Sequence, residues 1–345
     1  VIRVHAHGAY AHRQPLAYAT LAPQFRARIR PVARAEEADA VLFAHTKDID
    51  ASPAPLRRLL ARPGGPRAVL LSEEPFWDTI WGVSPWLRHR RVETPEGGFA
   101  LVTLNHLTSR IFEAERIPYY LLTDHRFPAR YGAMAGRLAR VPEREWLARW
   151  RAAPVRAAFV AERRRSARFD YRPAEAPDLR GLAAWRTRLA EATGGHGVLR
   201  LGRGWQGGPP RQRLDDWHFD KLARLAGRCR TISAVENTHA PAYLTEKLYD
   251  AFACGAVPLY YAGPGHLAAR VAPPEAWLNL WDLPVEAAAE AVRGFAPDLA
   301  RAEAYRLAQA RLAETFATGE AVAAEAARLA RAVTAELEGA LAEAA

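Results

Sequence analysis

The stretch ENTHAPAYLTEKLYDAFACGAVPLYYAG, Glu236–Gly263, contains one of three lysines in a chain with 45 arginines. Thr231–Val235, just before it, has the apolar pattern of a buried strand, and Glu236-Asn237 follow directly. In a parallel sheet, polar residues immediately past the carboxyl end of a strand face the ligand crevice. A loop containing Pro241 leads to Thr245, a good N-cap for a helix over Glu246–Cys254, and Gly255 follows as its stop signal. Val257-Pro258-Leu259 then opens the next strand. Lys247 falls in the first helical turn, where a cation opposes the helix dipole. An anion bound there reverses the argument, because free N–H groups and the dipole both attract phosphate. A compact ammonium on a flexible stem suits a phosphate oxygen in a crowded site. The helix–strand frame alone is a plain α/β unit. The Glu-Asn and Thr-Glu-Lys elements at its ligand-facing ends are not explained by packing, so phosphate binding stands level with the plain reading.

The chain has 345 residues, enough for two domains of ordinary size. Half of them are hydrophobic and a quarter charged, the profile of a soluble globular protein. No apolar run is long enough to span a membrane. The opening VIRVHAHG lacks the zones of a signal peptide, and it also lacks a Met, which leaves room for an upstream segment. Cys229 and Cys254 lie far apart without metal-ligand spacing, so neither a disulfide framework nor a zinc site is expected. A cytoplasmic location follows, with association at the inner membrane face as a second reading. Net charge is +10, and eleven arginines fall between Arg137 and Arg172 against four acids. No nucleic-acid motif accompanies them, so no nucleic-acid partner is expected. Trp146 and Trp150 sit four apart, the spacing of one buried helix face, although a stacking platform is the competing reading. A solvated segment between domains is the plain interpretation; attraction to sugar-nucleotide phosphates or peripheral contact with anionic lipid is the alternative.

Short apolar runs alternate with helical patterns along the whole chain, which argues for parallel sheets covered on both faces. First-half strands are expected at Ile2–His5, Arg28–Val32, Ala40–His45, Arg67–Ser72, Phe99–Leu104 and Ile117–Leu122. The arginine-rich Arg126–Arg156, helical around Glu143–Arg151, marks the domain junction. The second half repeats the alternation, with strands at Ala157–Ala161, Gly197–Leu201, Thr231–Val235, Ala256–Tyr261 and Trp277–Trp281. Its helices are expected at Leu179–Ala192, Asp216–Ala226, Thr245–Cys254 and Val285–Phe295. From Leu299 on, an Ala-, Glu- and Arg-rich tail without proline reads as one or two long helices.

Glu236-Asn237, Tyr243-Leu244-Thr245-Glu246-Lys247-Leu248, Asp250-Ala251-Phe252, Gly255-Ala256-Val257-Pro258 and Gly263 together resemble the donor-site signature of the α-1,3/1,4-fucosyltransferases, glycosyltransferase family 10, in a bacterial form. Val235 stands where that family has phenylalanine, and Leu244 where it has valine. Outside Glu236–Gly263 the likeness is weaker, though the order of elements agrees as far as Asp282. The resemblance implies an α/β fold of GT-B type, two Rossmann-like domains facing a central cleft, with long C-terminal helices. Residues 1–151 would form the acceptor side and 152–345 the donor-binding domain, the terminal helices packing back on the first. It implies an inverting transfer of L-fucose from GDP-fucose to a hydroxyl of a glycan acceptor. Lys247 would contact the diphosphate and Glu246 the ribose or fucose side, with Glu236, Asn237, Tyr243 and Thr245 lining the pocket. The family's diphosphate arginine falls on Arg186, with Arg188 as its rival.

On the acceptor side, the strand RAVLLS ends in Glu73-Glu74-Pro75, with Phe76 and Trp77 beyond. Adjacent acids there can be no more than a solvated turn. The resemblance implies that Glu73 is the general base, with Glu74 as the competing choice and Glu74, Trp77 and His7 as acceptor-side candidates. No cofactor or metal is expected to be required, a divalent ion serving at most as a stimulant. His5, His7 and His12 beside Gly8 read as a cleft-lining loop, and Asp48-Ile49-Asp50 as a solvated one. The alternatives are a transferase for another GDP-sugar, a non-catalytic glycan- or nucleotide-binding relic of the fold, and a nucleic-acid binder.

Overall fold

The computed structural model describes residues 1–74, 84–205 and 213–343. The alternating apolar runs resolve into two largely parallel sheets, each in its own compact unit. The first unit comprises Val1–Ala114, Leu122–His125 and the chain from Val322 onward; the second comprises Glu115–Leu121 and Arg126–Ala321. Among the described residues, helices of eight residues or more are labelled α1 (Ala54–Ala61), α2 (Arg126–Leu138), α3 (Glu143–Ala152), α4 (Ala183–Thr193), α5 (Trp217–Leu225), α6 (Glu246–Ala253), α7 (Val285–Arg293), α8 (Leu299–Thr315) and α9 (Glu320–Ala342).

The first sheet contains β1 (Ile2–His7), β2 (Ile29–Pro31), β3 (Ala40–Phe43), β4 (Arg67–Leu71), β5 (His89–Val92) and β6 (Phe99–Leu104), in the order β2-β1-β3-β4-β6-β5. All pairs are parallel except β5 with β6. Strands β3 and β4 are almost wholly buried, as expected when both faces of a parallel sheet are covered. Their side chains join Ile49, and Leu56 and Leu60 of α1, in one core. The sequence HRRV of β5 alternates between exposed and half-buried positions, which hid this antiparallel edge strand from an apolar-run search. The strand expected at Ile117–Leu122 is instead a helical turn, Tyr119–Leu122. Pro118 explains the difference: its carbonyl accepts the Leu121 N–H, so proline opens the turn where it lacks a donor anyway.

The second sheet orders β7 (Val155–Val160), β9 (Val198–Leu201), β10 (Cys229–Ser233), β12 (Val257–Tyr260) and β13 (Leu278–Asn279) as β13-β12-β10-β7-β9, all parallel. A short antiparallel pair, β8 (Arg180–Gly181) with β11 (Thr238–His239), stands beside it. Trp185 and Leu189 of α4 pack with Ala288, Ala289 and Val292 of α7 in a core shared with Leu259 and Leu280. Order reverses between β7 and β10, so the carboxyl end of β10 is a topological switch point, where open α/β sheets leave a crevice. Glu236 and Asn237 sit at that end.

Helix α6 is tied down at its far terminus. Gly255, at φ +72°, takes the left-handed conformation a Schellman stop needs: its N–H reaches Phe252 O at 2.9 Å, and that of Ala256 reaches Ala251 O at 3.1 Å. The Gln309 amide of α8 caps the Phe252 carbonyl at 2.8 Å, and the Tyr305 hydroxyl reaches Ala256 O at 3.1 Å. Trp146 and Trp150 of α3 stack with centroids 5.7 Å apart, and Tyr305 meets both edge-on. Trp150 Nε1 donates to Gly255 O at 2.9 Å. Both tryptophans are about 1% exposed, so they are core residues of the second unit and not a stacking platform. The arginine-rich segment is therefore part of a packed unit, with α2 and α3 both lying against α8.

Helix α9 belongs to the first unit. Its Glu336 bonds Arg88 Nη1 at 2.8 Å and the Arg110 backbone N–H at 2.8 Å, while Glu338 pairs with Arg28 at 3.0 Å. No described helix is long and apolar enough to cross a membrane. Trp150→Ala should cost about 3–5 kcal/mol, the scale for truncating a buried large aromatic. Urea denaturation followed by far-UV circular dichroism checks this; a change below about 1 kcal/mol would show that the tryptophan pair does not hold α3 to α6.

Candidate active site

At the carboxyl end of β10 the chain leaves the sheet at Ala234-Val235 and turns Glu236 back over the start of α6. The Glu236 carboxylate accepts the Thr245 N–H at 2.8 Å and the Thr245 hydroxyl at 2.8 and 2.9 Å. Thr245 is the N-cap residue, as its sequence position suggests, but its side chain makes no cap bond to the helix backbone. A carboxylate from the preceding loop supplies the anion at this helix start instead. Lys247 Nζ completes the arrangement, 2.7 Å from Glu236 Oε2 and 2.8 Å from Thr245 Oγ1. A cation in the first turn is thus compensated by Glu236. Lysine supplies here a compact charge on a flexible stem that reaches both neighbours at once.

Charges beyond this contact alternate in sign. Glu246 is 6% exposed, and its Oε1 lies 3.9 Å from Lys247 Nζ and 3.8 Å from Lys221 Nζ. Burial alone would raise its carboxyl, but the two ammoniums hold it at about 2. Burial does prevail at Glu236, whose carboxyl is raised despite Lys247. Lys221 of α5 ion-pairs with Asp250 Oδ2, and Asp250 Oδ1 is 2.6 Å from His218 Nε2 and accepts the Tyr131 hydroxyl at 2.7 Å. Arg130 Nη1 lies 2.9 Å from His218 Nδ1; since arginine can only donate, His218 is the tautomer with its proton on Nε2, directed at Asp250. Arg130 also grips Asp216, the N-cap of α5, and holds its carboxyl well below the usual range.

Arg186 of α4 is 7% exposed and donates from Nη1 to the Val235 carbonyl at 3.1 Å, while its Nε is buried with no hydrogen-bond partner. Burial pushes it down to about 10, with Glu236, Tyr243 and Glu246 close enough to oppose the fall. Its rival Arg188 is exposed and paired with Asp170, away from these groups. Geometry therefore brings Arg186, Glu236, Tyr243, Thr245, Glu246 and Lys247 together and leaves Arg188 out. Asn237 is half-buried, and its carbonyl accepts the Leu182 N–H at 2.8 Å just before α4.

In the first unit, Glu73 and Glu74 follow β4. Both Glu73 oxygens lie 3.0 Å from the Tyr18 hydroxyl, and Arg13 reaches Glu73 at 3.4 Å and Glu74 at 2.8 Å. The Glu73 side chain is 8% exposed against 18% for Glu74, so neither is a simple solvated turn. Trp77 lies outside the described residues. His7 ends β1 half-buried, edge-on to Phe43 at 5.7 Å, with burial and His5 lowering its pKa. Asp48 corrects the expectation of a solvated loop: it is 3% exposed and accepts the Tyr10 N–H at 3.2 Å. Gly8, at φ +101°, makes this possible, because a Cβ there would lie 2.1 Å from the Asp48 carboxyl carbon. His5 and His12 turn to the backbone carbonyls of Val32 and Ala9 and do not converge with His7 on one point. Among the described residues, no three His, Cys, Asp or Glu side chains are grouped to hold a metal.

Residues 211–305 match the family model described as "Glycosyltransferase family 10 (fucosyltransferase) C-term". Over this segment the chain is similar to the C-terminal domain of the family 10 glycosyltransferases. This segment spans the polar cluster from Asp216 to Asp250, while Arg186 and Glu73 lie outside it. None of the curated proteins compared with the chain matches it. Three solved structures of an α1,3-fucosyltransferase are similar over 88% of this chain and 81% of theirs: one with GDP-fucose (13% identity, TM-score 0.45), one described by the enzyme's name alone (14%, 0.46) and one with GDP (14%, 0.41). Reading the sequence missed His218 and Lys221 inside the matched segment and Tyr131 outside it. The signal for Lys221 was available, since it is a second lysine in a chain that otherwise uses arginine.

The low value at Glu246 has a consequence for stability. A carboxyl at about 2 in the folded chain, against an ordinary 4.5, adds stability above pH 4.5 that is lost as pH falls toward 2. The difference in unfolding free energy between wild type and Glu246→Gln, measured in urea from pH 6 to pH 3, should shrink as the pH falls. A constant difference would mean that Glu246 is not held ionised by the lysines.

Proposed function

We propose that this chain is a family 10 glycosyltransferase and transfers L-fucose from GDP-fucose to a hydroxyl of a glycan acceptor, with inversion at the anomeric carbon. The observation that carries the reading is the convergence of Arg186, Glu246 and Lys247 at the switch-point end of β10. Two cations there suit a diphosphate, and a buried ionised carboxylate suits a sugar hydroxyl. Arg186 has an unpartnered buried Nε to offer. Lys247 would exchange part of its contact with Glu236 for a phosphate oxygen. Glu246 would accept from the ribose hydroxyls, with Asn237, Tyr243 and Thr245 forming the surrounding wall.

In the proposed reaction Glu73 takes the proton of the acceptor hydroxyl, whose oxygen attacks the anomeric carbon as the bond to the β-phosphate breaks. Charge that grows on the leaving GDP is met by Lys247 and Arg186, preorganised donors of the kind that supply several kcal/mol. These cations do the work of a divalent ion, so no metal is assigned a required role; a divalent ion would act only as a stimulant of GDP release. His7 and Glu74 are assigned to the acceptor side. The exposed arginines of the α3 region remain a candidate for peripheral contact with anionic membrane at the cytoplasmic face. A transferase for another GDP-sugar is the second reading, because no group in the cluster reads the sugar's own substituents.

GDP should raise the melting temperature by mass action, whereas UDP and CDP at equal concentration should shift it little. Lys247→Ala should abolish most of that shift and lower turnover; Lys247→Arg should restore only part of both. Full recovery with arginine would contradict the point-charge role.

Glu73→Gln should leave the GDP-induced shift intact and reduce transfer by roughly a hundredfold, the scale for losing a general base. Glu74→Gln should do far less. The opposite ranking would move the base to Glu74, and full activity in both would remove it from this loop.

A further inference from the structure

The second lysine to approach Glu246 has no part in the proposed reaction. Lys221 sits on α5, its side chain 12% exposed, with its ammonium paired to Asp250 and 3.8 Å from Glu246 Oε1. Lys247 stands 3.9 Å from the same oxygen. Both distances exceed hydrogen-bond reach, and both ammoniums place their short contacts elsewhere: Lys247 on Glu236 and Thr245, Lys221 on Asp250. The two lysines therefore set the potential at Oε1 from either side without taking up its lone pairs. A carboxylate held this way keeps its capacity to accept from an incoming hydroxyl.

Lys221 is in turn held by groups that have no other task in the reaction. Asp250 is 3% exposed, and its two oxygens divide between Lys221 on one side and His218 with Tyr131 on the other. His218 is oriented by Arg130, and Arg130 by Asp216. The result is a line of alternating charge and dipole from the surface at Asp216 to Glu246. Three helices, α2, α5 and α6, contribute to it, so the position of Lys221 is fixed from more than one element. An arginine, standard elsewhere in this chain, would extend its fork toward Glu246 and hydrogen-bond it.

We propose that Lys221, held by Asp250, His218 and Tyr131, is a positioning residue that keeps the Glu246 carboxylate aimed at the ribose hydroxyls of the donor nucleotide. This rests on the assignment of the polar cluster to a GDP-sugar. It adds a residue that touches no substrate, acting only through Glu246, and a reason why this position is lysine.

The test compares GDP with 2′,3′-dideoxy-GDP by isothermal titration calorimetry on the full chain. Wild type should bind GDP more tightly, by about tenfold, the scale of a hydrogen bond to a charged acceptor. Lys221→Met should lose about tenfold for GDP and less than about threefold for the dideoxy analogue, and should be no worse when combined with Glu246→Gln. Lys221→Arg should lose hydroxyl discrimination in the same way, by occupying Glu246. Asp250→Asn, which frees Lys221 but keeps its charge, covers the case in which Lys221→Met fails to fold, and should show the same selective loss. Equal losses for both nucleotides in the variants would overturn the proposal in favour of a general structural role or a diphosphate contact. Wild type that binds both nucleotides alike would overturn it while leaving the GDP-sugar reading in place. Wild type that binds no GDP would overturn both.

Discussion

The contact between Lys247 and Glu236 is the interaction on which the architecture around the start of α6 turns. Each residue is unfavourable alone: a cation in the first turn opposes the helix dipole, and a carboxylate at about 3% exposure carries a desolvation cost. Together with Thr245 they cancel, and the cancellation fixes where β10 ends relative to where α6 begins. Removing one partner of such a buried pair usually costs more than the pair contributes, because the other charge is left stranded. Glu246, Lys221 and Asp250 extend the same logic, each charge placed against one of opposite sign. Three acids and three bases, counting Arg186, thus form one buried cluster in which positive and negative charges balance.

The helix itself is as firmly held at its other end. Gln309 and Tyr305 cap the exit from α6, Gly255 makes the turn, and the tryptophan pair of α3 closes over it. This is a rigid element carrying its functional groups at one terminus. The helix that carries Lys247 is therefore anchored by packing at its opposite end.

Much of this was legible in the sequence because it depends on local signals. The strand–loop–helix frame from Thr231 to Gly263 follows from apolar runs and stop signals, and the polar residues at its ligand-facing ends were readable as a group. Of two arginines two positions apart on α4, only the fold tells which faces the cluster: Arg186 points inward to Val235, Arg188 outward to Asp170. What escaped was what depends on partners distant in sequence. Thr245 was expected to cap its own helix, but a carboxylate nine residues earlier does so. Asp48 was expected in solvent, yet a glycine forty residues before it allows the backbone to close over its side chain. Strand β5 was missed because an edge strand with arginines does not need an apolar run. The segment at Ile117 has strand-like composition, and Pro118 turns it into a helical start.

Helix α9 gives the chain an order of assembly that its linear map conceals. Strands β1 to β6 leave the ribosome early, but Glu336 and Glu338, which neutralise Arg88 and Arg28 and bond the backbone at Arg110, are made some two hundred residues later. Throughout synthesis of the second unit, the first lacks these acidic partners and the surface beneath α9 is uncovered. Translation speed through residues 115–321 then sets how long that surface is open to chaperones, to proteases, or to a wrong partner.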